Sequence, residues 1–389
     1  MTVKKQTKIM ILTGSYGNGH LQVVDALKKS FDQSGTDYVV VDLFQEAHPL
    51  MTALTKYLYI KSFTVGRRMY SFFYYSSKNM KHEQFITRLF NSFGWRKVRD
   101  LIETHQPDMI VNTFPMLAVP EYKRKTGDTI PTSHILTDYC LHNRWTHPLV
   151  DRYYVATEKL KNDLIQTGIM EASQVKVSGI PVMPSFEQKS DHQQLCQKYG
   201  FAADKKLVVI MAGAHGVLTH TDLIAQKLSG YKNSQLIIVC GHNHKLREKL
   251  LRENADNPDV VVLGYVNYMD DLMKVAEVMV TKPGGITLTE AINVRLPLVL
   301  YKAVPGQERE NAEFFHAEEA AVQVDDIDAM IQATQRILSD DAYRAKLKAN
   351  MAHLHCPGAG GSICNDIFET LDAKEYATQP VTFEKVSLL

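Results

Sequence analysis

Residues 8–20 read KIMILTGSYGNGH: an apolar run from Lys8 to Thr13, a turn holding Gly14, Gly17 and Gly19, and a helix-like stretch from about His20 to Ser30. A strand that runs through glycines into a helix is the repeating unit of a parallel α/β sheet. YVVVDL (Tyr38 to Leu43) is β-branched and reads as a second strand, and Met109 to Asn112, His134 to Thr137 and Arg152 to Ala156 fit further ones. The pattern then restarts. LVVIMA (Leu207 to Ala212) runs into Gly213-Ala214-His215-Gly216, followed by strand signals at Gln235 to Cys240, Val260 to Leu263, Val278 to Thr281 and Pro297 to Tyr301. Two α/β units are therefore predicted. The Pro- and Ser-rich stretch SGIPVMPSFEQKSDHQQ joins them, placing a first unit over 1–186, a second over 187–372 and a tail over 373–389.

Three motifs carry chemistry. In Gly14-Ser15-Tyr16-Gly17-Asn18-Gly19-His20 the glycines let backbone approach a ligand, and the helix N-terminus favours anionic oxygen. The GK[ST] ending of a P-loop and the GxGxxG spacing are both absent. A neutral His20 at the helix start suits a base acting on a hydroxyl; a capping histidine in a tight turn is the alternative. Thr281-Lys282-Pro283-Gly284-Gly285-Ile286-Thr287-Leu288-Thr289-Glu290 is a second strand–glycine–helix turn. Its Gly284, Gly285 and Thr287 suit a diphosphate, and its Glu290 suits a ribose diol. In the third motif Gln307 and Asn311, four apart, share a helix face after Pro305-Gly306 and suit sugar hydroxyls; a solvated helix start is the alternative.

The 389 residues carry a net charge of +1, so no global field points to nucleic acid, and no RNA-binding module is present. The five cysteines are scattered without a CxxC, which argues against a disulfide frame or structural zinc. No run is apolar enough to span a bilayer, and a cytoplasmic or peripheral protein is expected. Residues 51–100 break this neutrality, with ten Lys and Arg against Glu83 and Asp100, interleaved with aromatics. Phe85, Ile86, Leu89, Phe90 and Phe93 give one apolar helix face with Lys81, Arg88 and Arg99 along its edge. Such a helix suits an anionic bilayer surface; a core-packed helix is the alternative.

The ordered set of motifs resembles the diacylglycerol glycosyltransferases, that is, bacterial processive diacylglycerol β-glucosyltransferases and plant monogalactosyldiacylglycerol synthases. The resemblance runs from about Lys8 to Asp372. It implies a GT-B fold, two Rossmann-like domains facing a cleft, with acceptor on the N-terminal side and UDP-sugar on the C-terminal side, and an inverting single displacement. It implies His20 as base, with Asp138 orienting it or replacing it. It assigns donor contacts to Gly17, Gly19, Gly213, His215, Gly216, Val266, Gly284, Gly285, Thr287, Glu290, Gln307 and Asn311. His242 in Cys240-Gly241-His242-Asn243 stands where Arg is commoner. Trp145, in TDYCLHNRW with Asp138 and His142, is expected at lipid or headgroup, and Arg67, Arg68, Arg88 and Arg96 at the membrane. The implied partners are UDP-glucose, diacylglycerol, monoglucosyldiacylglycerol and an anionic membrane, with no nucleic acid; neither a cofactor nor a metal is expected. The Asp326-Ile327-Asp328 string reads as a helix N-terminus rather than a metal site. UDP-galactose is the alternative donor. A UDP-sugar 2-epimerase-like isomerase and a non-catalytic UDP-sugar sensor are the alternatives from other classes.

Overall fold

The computed structural model describes residues 7–15, 18–47, 71, 74–76, 78, 94–211 and 220–378. Its strands form two wholly parallel sheets. The first comprises β1 (Lys8–Thr13), β2 (Asp37–Asp42), β3 (Met109–Asn112), β4 (Thr132–Ile135), β5 (Arg152–Val155) and β6 (Val175–Val177), in the spatial order β2-β1-β3-β4-β5-β6. The second comprises β7 (Lys206–Met211), β8 (Ser234–Val239), β9 (Val260–Leu263), β10 (Ala276–Thr281), β11 (Leu298–Tyr301) and β12 (Ala321–Val324), in the order β12-β11-β10-β7-β8-β9. Two doubly wound domains of the GT-B type result.

Each sheet is covered on both faces, which is why its central strands read as unbroken apolar runs. Along β1, Ile9 and Ile11 face one buried cluster and Met10 and Leu12 the other; along β7, Leu207 and Val209 alternate in the same way with Val208 and Ile210. The strand order reverses beside β1 in the first sheet and beside β7 in the second. Parallel sheets bind ligands outside the carboxyl ends of the strands at such switch points. The glycine-containing stretch that begins at Gly14 follows β1, and that of the second domain, residues 212–219, lies outside the described residues.

Two strands had no signal that the sequence pattern picked out. β6 (VKV) and β12 (AVQV) are short, half-exposed edge strands. The last helix, Ala359–Thr378, corrects the expected division. It leaves the second domain and packs on the first, with Cys364 Sγ 3.6 Å from Ser34 Oγ on the helix Asn18–Ser34. It also carries helical structure into the expected tail. Asp366 pins it there, accepting from Arg152 Nη2 (2.6 Å) and Nε (2.7 Å), Lys176 Nζ (3.0 Å) and Tyr154 Oη (2.9 Å). Burial pushes this carboxyl upward, but those donors outweigh it and hold the group below its ordinary pKa.

The two crossings between domains touch. Gly179 takes φ +77°, and a Cβ there would lie 2.6 Å from Cys356 Cβ. Gly358 donates its N–H to Glu187 Oε1 at 2.8 Å.

Replacing Asp366 with Ala is expected to cost about 1.5–3 kcal/mol, because three partners lose a charged acceptor. A lower urea midpoint checks this, and an unchanged midpoint would show that apolar packing alone holds the helix.

Candidate active site

His20 sits in the first turn of the helix Asn18–Ser34. Its Nδ1 lies 2.7 Å from the carbonyl of Thr113, just past the end of β3, so Nδ1 carries the proton and Nε2 is the acceptor nitrogen. Thr137 Oγ1 approaches the same Nδ1 at 3.2 Å, and Phe114 meets the ring edge-on at 4.8 Å. Burial pulls the imidazole pKa down to about 4, against a smaller opposite pull from the Thr113 bond. His20 is therefore neutral near pH 7. Asp42, at the end of β2, holds the glycine loop by accepting from Ser15 N at 3.1 Å and from Ser15 Oγ.

The second domain closes directly on this face. Gly285 begins the helix Gly285–Val294, and a Cβ there would overlap the Thr137 carbonyl oxygen and crowd Asp138. Only glycine permits that approach. Ile286 side-chain carbon lies 3.4 Å from where a Gly19 Cβ would be, so the N-terminal glycine loop faces the same turn. Asp138, three residues past β4, accepts from Asn311 Nδ2 at 2.9 Å and from Gln307 Nε2, both on the helix Gln307–Ala317. It is 4% exposed. Burial pushes its carboxyl up to about 6, against the opposing pull of Asn311 and Gln307.

Glu290 lies in the second turn of the helix Gly285–Val294 and is 6% exposed. Burial pushes its carboxyl up to about 8, with the charge of Asp270 adding to the effect. Gly284 is the residue before that helix, with open space at its Cβ position, and Thr287 is half-buried in its first turn. Val266 is buried in the same apolar cluster as Ile286. Its neighbour Tyr265, 65% exposed, stacks on His242 at 4.6 Å.

This geometry gathers a neutral imidazole, a buried carboxylate and a helix N-terminus around one interdomain seam, with Glu290 in the second turn of that helix. Comparison with known proteins then decides the family. Residues 20–182 match the model of monogalactosyldiacylglycerol (MGDG) synthase, and residues 198–353 match that of glycosyl transferases group 1. The processive diacylglycerol beta-glucosyltransferase of Bacillus subtilis (strain 168) is 41% identical over 95% of this chain and 98% of its own; that of Bacillus cereus (strain B4264) is 41% identical over 93% and 94%. The chain belongs to the processive diacylglycerol beta-glucosyltransferase family. Among solved structures, Acinetobacter baumannii MurG superposes with a TM-score of 0.59 at 15% identity, covering 93% of this chain and 99% of that one. The S. aureus MnaA–UDP structure superposes with 0.63 at 15%, covering 97% and 100%. These likenesses establish the GT-B fold alone, and whole-chain identity makes this family member a UDP-sugar-dependent hexosyltransferase.

The structure brings His20, Asp138, Gly285, Gln307 and Asn311 together. Gly17, Gly213, His215, Gly216, Arg67, Arg68 and Arg88 lie outside the described residues. Two expectations are corrected. Trp145 is 3% exposed and packs with Leu136, Val150 and Tyr153, because the short 3₁₀ turn Asn143–Trp145 directs its ring under β4 and β5; it is a core residue and cannot meet lipid here. Asn311 is fully buried with its whole amide engaged: the oxygen accepts from Tyr139 N at 2.9 Å, and the NH2 donates to Asp138 and to the Pro283 carbonyl at 3.2 Å. In this closed arrangement it is buried and its NH2 holds Asp138. Arg96 is exposed on the helix Trp95–His105 and lies over Trp95, whose ring Lys125 also approaches. Sequence reasoning missed Asp42, Thr113 and Thr137. All three stand at or just past the carboxyl ends of strands, where the topology rule would have listed them.

Because the folded pKa of Glu290 exceeds its ordinary value, its contribution to stability is complete below that ordinary value and is lost as pH rises through about 8. Glu290→Gln removes this titration. Between about pH 6 and about pH 8 the parent is expected to lose about 2 kcal/mol that the variant keeps. Thermal melts across that range check this, and parallel pH dependences would contradict it.

Proposed function

We propose that this protein transfers glucose from UDP-glucose to the hydroxyl of diacylglycerol, and then to monoglucosyldiacylglycerol, at the surface of an anionic membrane. The supporting observation is that His20 lies, neutral and hydrogen-bonded to Thr113, beside the Thr137–Gly285 contact where the two domains meet, in a chain 41% identical to its relatives along nearly its whole length.

In this reading the acceptor hydroxyl gives its proton to His20 Nε2 while its oxygen attacks the anomeric carbon. The bond from that carbon to the diphosphate oxygen breaks, inverting the configuration, and UDP leaves. The Thr113 carbonyl holds the required tautomer, and burial keeps the imidazole unprotonated until the proton arrives. The amide N–H groups that begin the helix Gly285–Val294, with the dipole behind them, stabilise the leaving diphosphate without a metal. Glu290 takes the ribose diol. Asp138 orients the acceptor side. Among the described residues no helix is long and apolar enough to cross a membrane. In this reading the lipid is met at the bilayer surface, and the Lys, Arg and aromatic excess of residues 51–100 suits that contact.

His20→Ala is expected to cut turnover about a hundred- to ten-thousand-fold while leaving UDP affinity nearly unchanged. Vesicles containing diacylglycerol, supplied with UDP-glucose or UDP-galactose and analysed for product lipids, measure both turnover and donor choice. Near-parent turnover would move the base to Asp138, and galactolipid as the main product would replace glucose as the transferred sugar.

Changing Arg67, Arg68, Arg88 and Arg96 to Glu should weaken sedimentation with anionic vesicles, each basic residue contributing about 1 kcal/mol near such a surface. UDP affinity should persist. Undiminished sedimentation would place the membrane contact elsewhere.

A further inference from the structure

Tyr139 belongs to the first domain by sequence and to the second by packing. It follows Asp138 in the loop after β4, yet its ring is buried among second-domain side chains. It stacks on Phe314 at 5.4 Å and meets Phe315 edge-on at 4.8 Å. Its hydroxyl lies 2.9 Å from Thr289 Oγ1. Thr289 donates its own proton to the Gly285 carbonyl at 2.8 Å, so the Tyr139 hydroxyl is the donor in this pair. The backbone N–H of Tyr139 donates to Asn311 Oδ1.

One side chain therefore grips two helices. The helix Gly285–Val294 carries Glu290 beside Thr289; the helix Gln307–Ala317 carries Gln307 and Asn311. The two residues before Tyr139 reach the acceptor side: Asp138 receives the Gln307 and Asn311 amides, and Thr137 touches His20. The missing Cβ of Gly285 lets Thr137 and Asp138 settle at that depth.

We infer that Tyr139 is a positioning residue, a plug seated in the second domain that sets Thr137 and Asp138, and through Thr137 the His20 imidazole, against the donor-side helices. This rests on the reading of the seam as a sugar-transfer centre. The ring joins Phe314 and Phe315, themselves in edge-on contact at 5.6 Å, in one aromatic cluster. It makes acceptor-side geometry depend on the second domain being closed.

The test uses the full chain with diacylglycerol vesicles and UDP-glucose, and compares kcat, KM for the donor and UDP affinity. Tyr139→Leu removes the stack and the hydroxyl and is expected to lower kcat about a hundredfold, the cost of a misplacement on the order of 1 Å, with UDP affinity within about twofold. Tyr139→Phe keeps the stack and should recover most of that loss, leaving kcat about three- to tenfold below the parent, the worth of one buried hydrogen bond. Thr289→Val should reproduce the Phe effect without altering the ring, and the double variant should be no worse than either single one. Parent kcat in Tyr139→Leu overturns the inference. So does a kcat loss in Tyr139→Phe matched by an equal loss of UDP affinity, which would mark Tyr139 as structural packing. A parent protein that transfers no hexose to any lipid overturns the functional reading instead, and the two failures are thereby separate.

Discussion

Asp138 leaves the first sheet for a place where water does not reach it, and a carboxylate there must be hydrogen-bonded or neutralised. Both its oxygens are met by amides of the other domain, Asn311 and Gln307. The rest of the seam follows from that contact. Gly285 must lack a side chain so that Thr137 and Asp138 can approach, Asn311 must be spent on the loop, and Tyr139 must pass into the second core. A contact of this kind stabilises one relative placement of the domains, because partners left buried and unpaired on separation cost more than the bond itself contributes.

The same burial tunes three titratable groups in different directions of use. His20 falls to about 4 and is a neutral acceptor; Asp138 rises to about 6 and stays mostly ionised near neutrality; Glu290 rises to about 8 and holds a proton. Each shift is toward the uncharged form, as desolvation requires. Near neutrality Asp138 is the charged member of the three, and the helix N-terminus at Gly285 beside it supplies positive potential.

Fold and chemistry separate cleanly in this molecule. MurG and MnaA share the two-sheet architecture with TM-scores of 0.59 and 0.63 at only 15% identity. An arrangement of strands at switch points supplies a place for ligands at the strand ends and leaves the reaction to the side chains that stand there. Here the neutral His20 and the Asp138 loop stand at such strand ends, in a chain whose two halves both match glycosyltransferase family models.

Local chemistry determined the elements. Apolar runs such as KIMILT and LVVIM make central strands, and Gly-Gly and Pro-Gly turns mark where strands become helices, because both effects act within a few residues. The places of His20, Gly285 and Asp138 were legible, each standing at a helix start or just past a strand end. The edge strands Val175–Val177 and Ala321–Val324 were not legible, since a half-exposed strand needs few apolar residues. Only the tertiary structure decided that Trp145 turns inward, that Asn311 serves Asp138, that Tyr139 crosses the seam and that the helix from Ala359 returns to the first domain. Each of these joins residues that are distant in the chain or faces that its local pattern leaves equivalent, and packing and desolvation of the whole molecule choose between them.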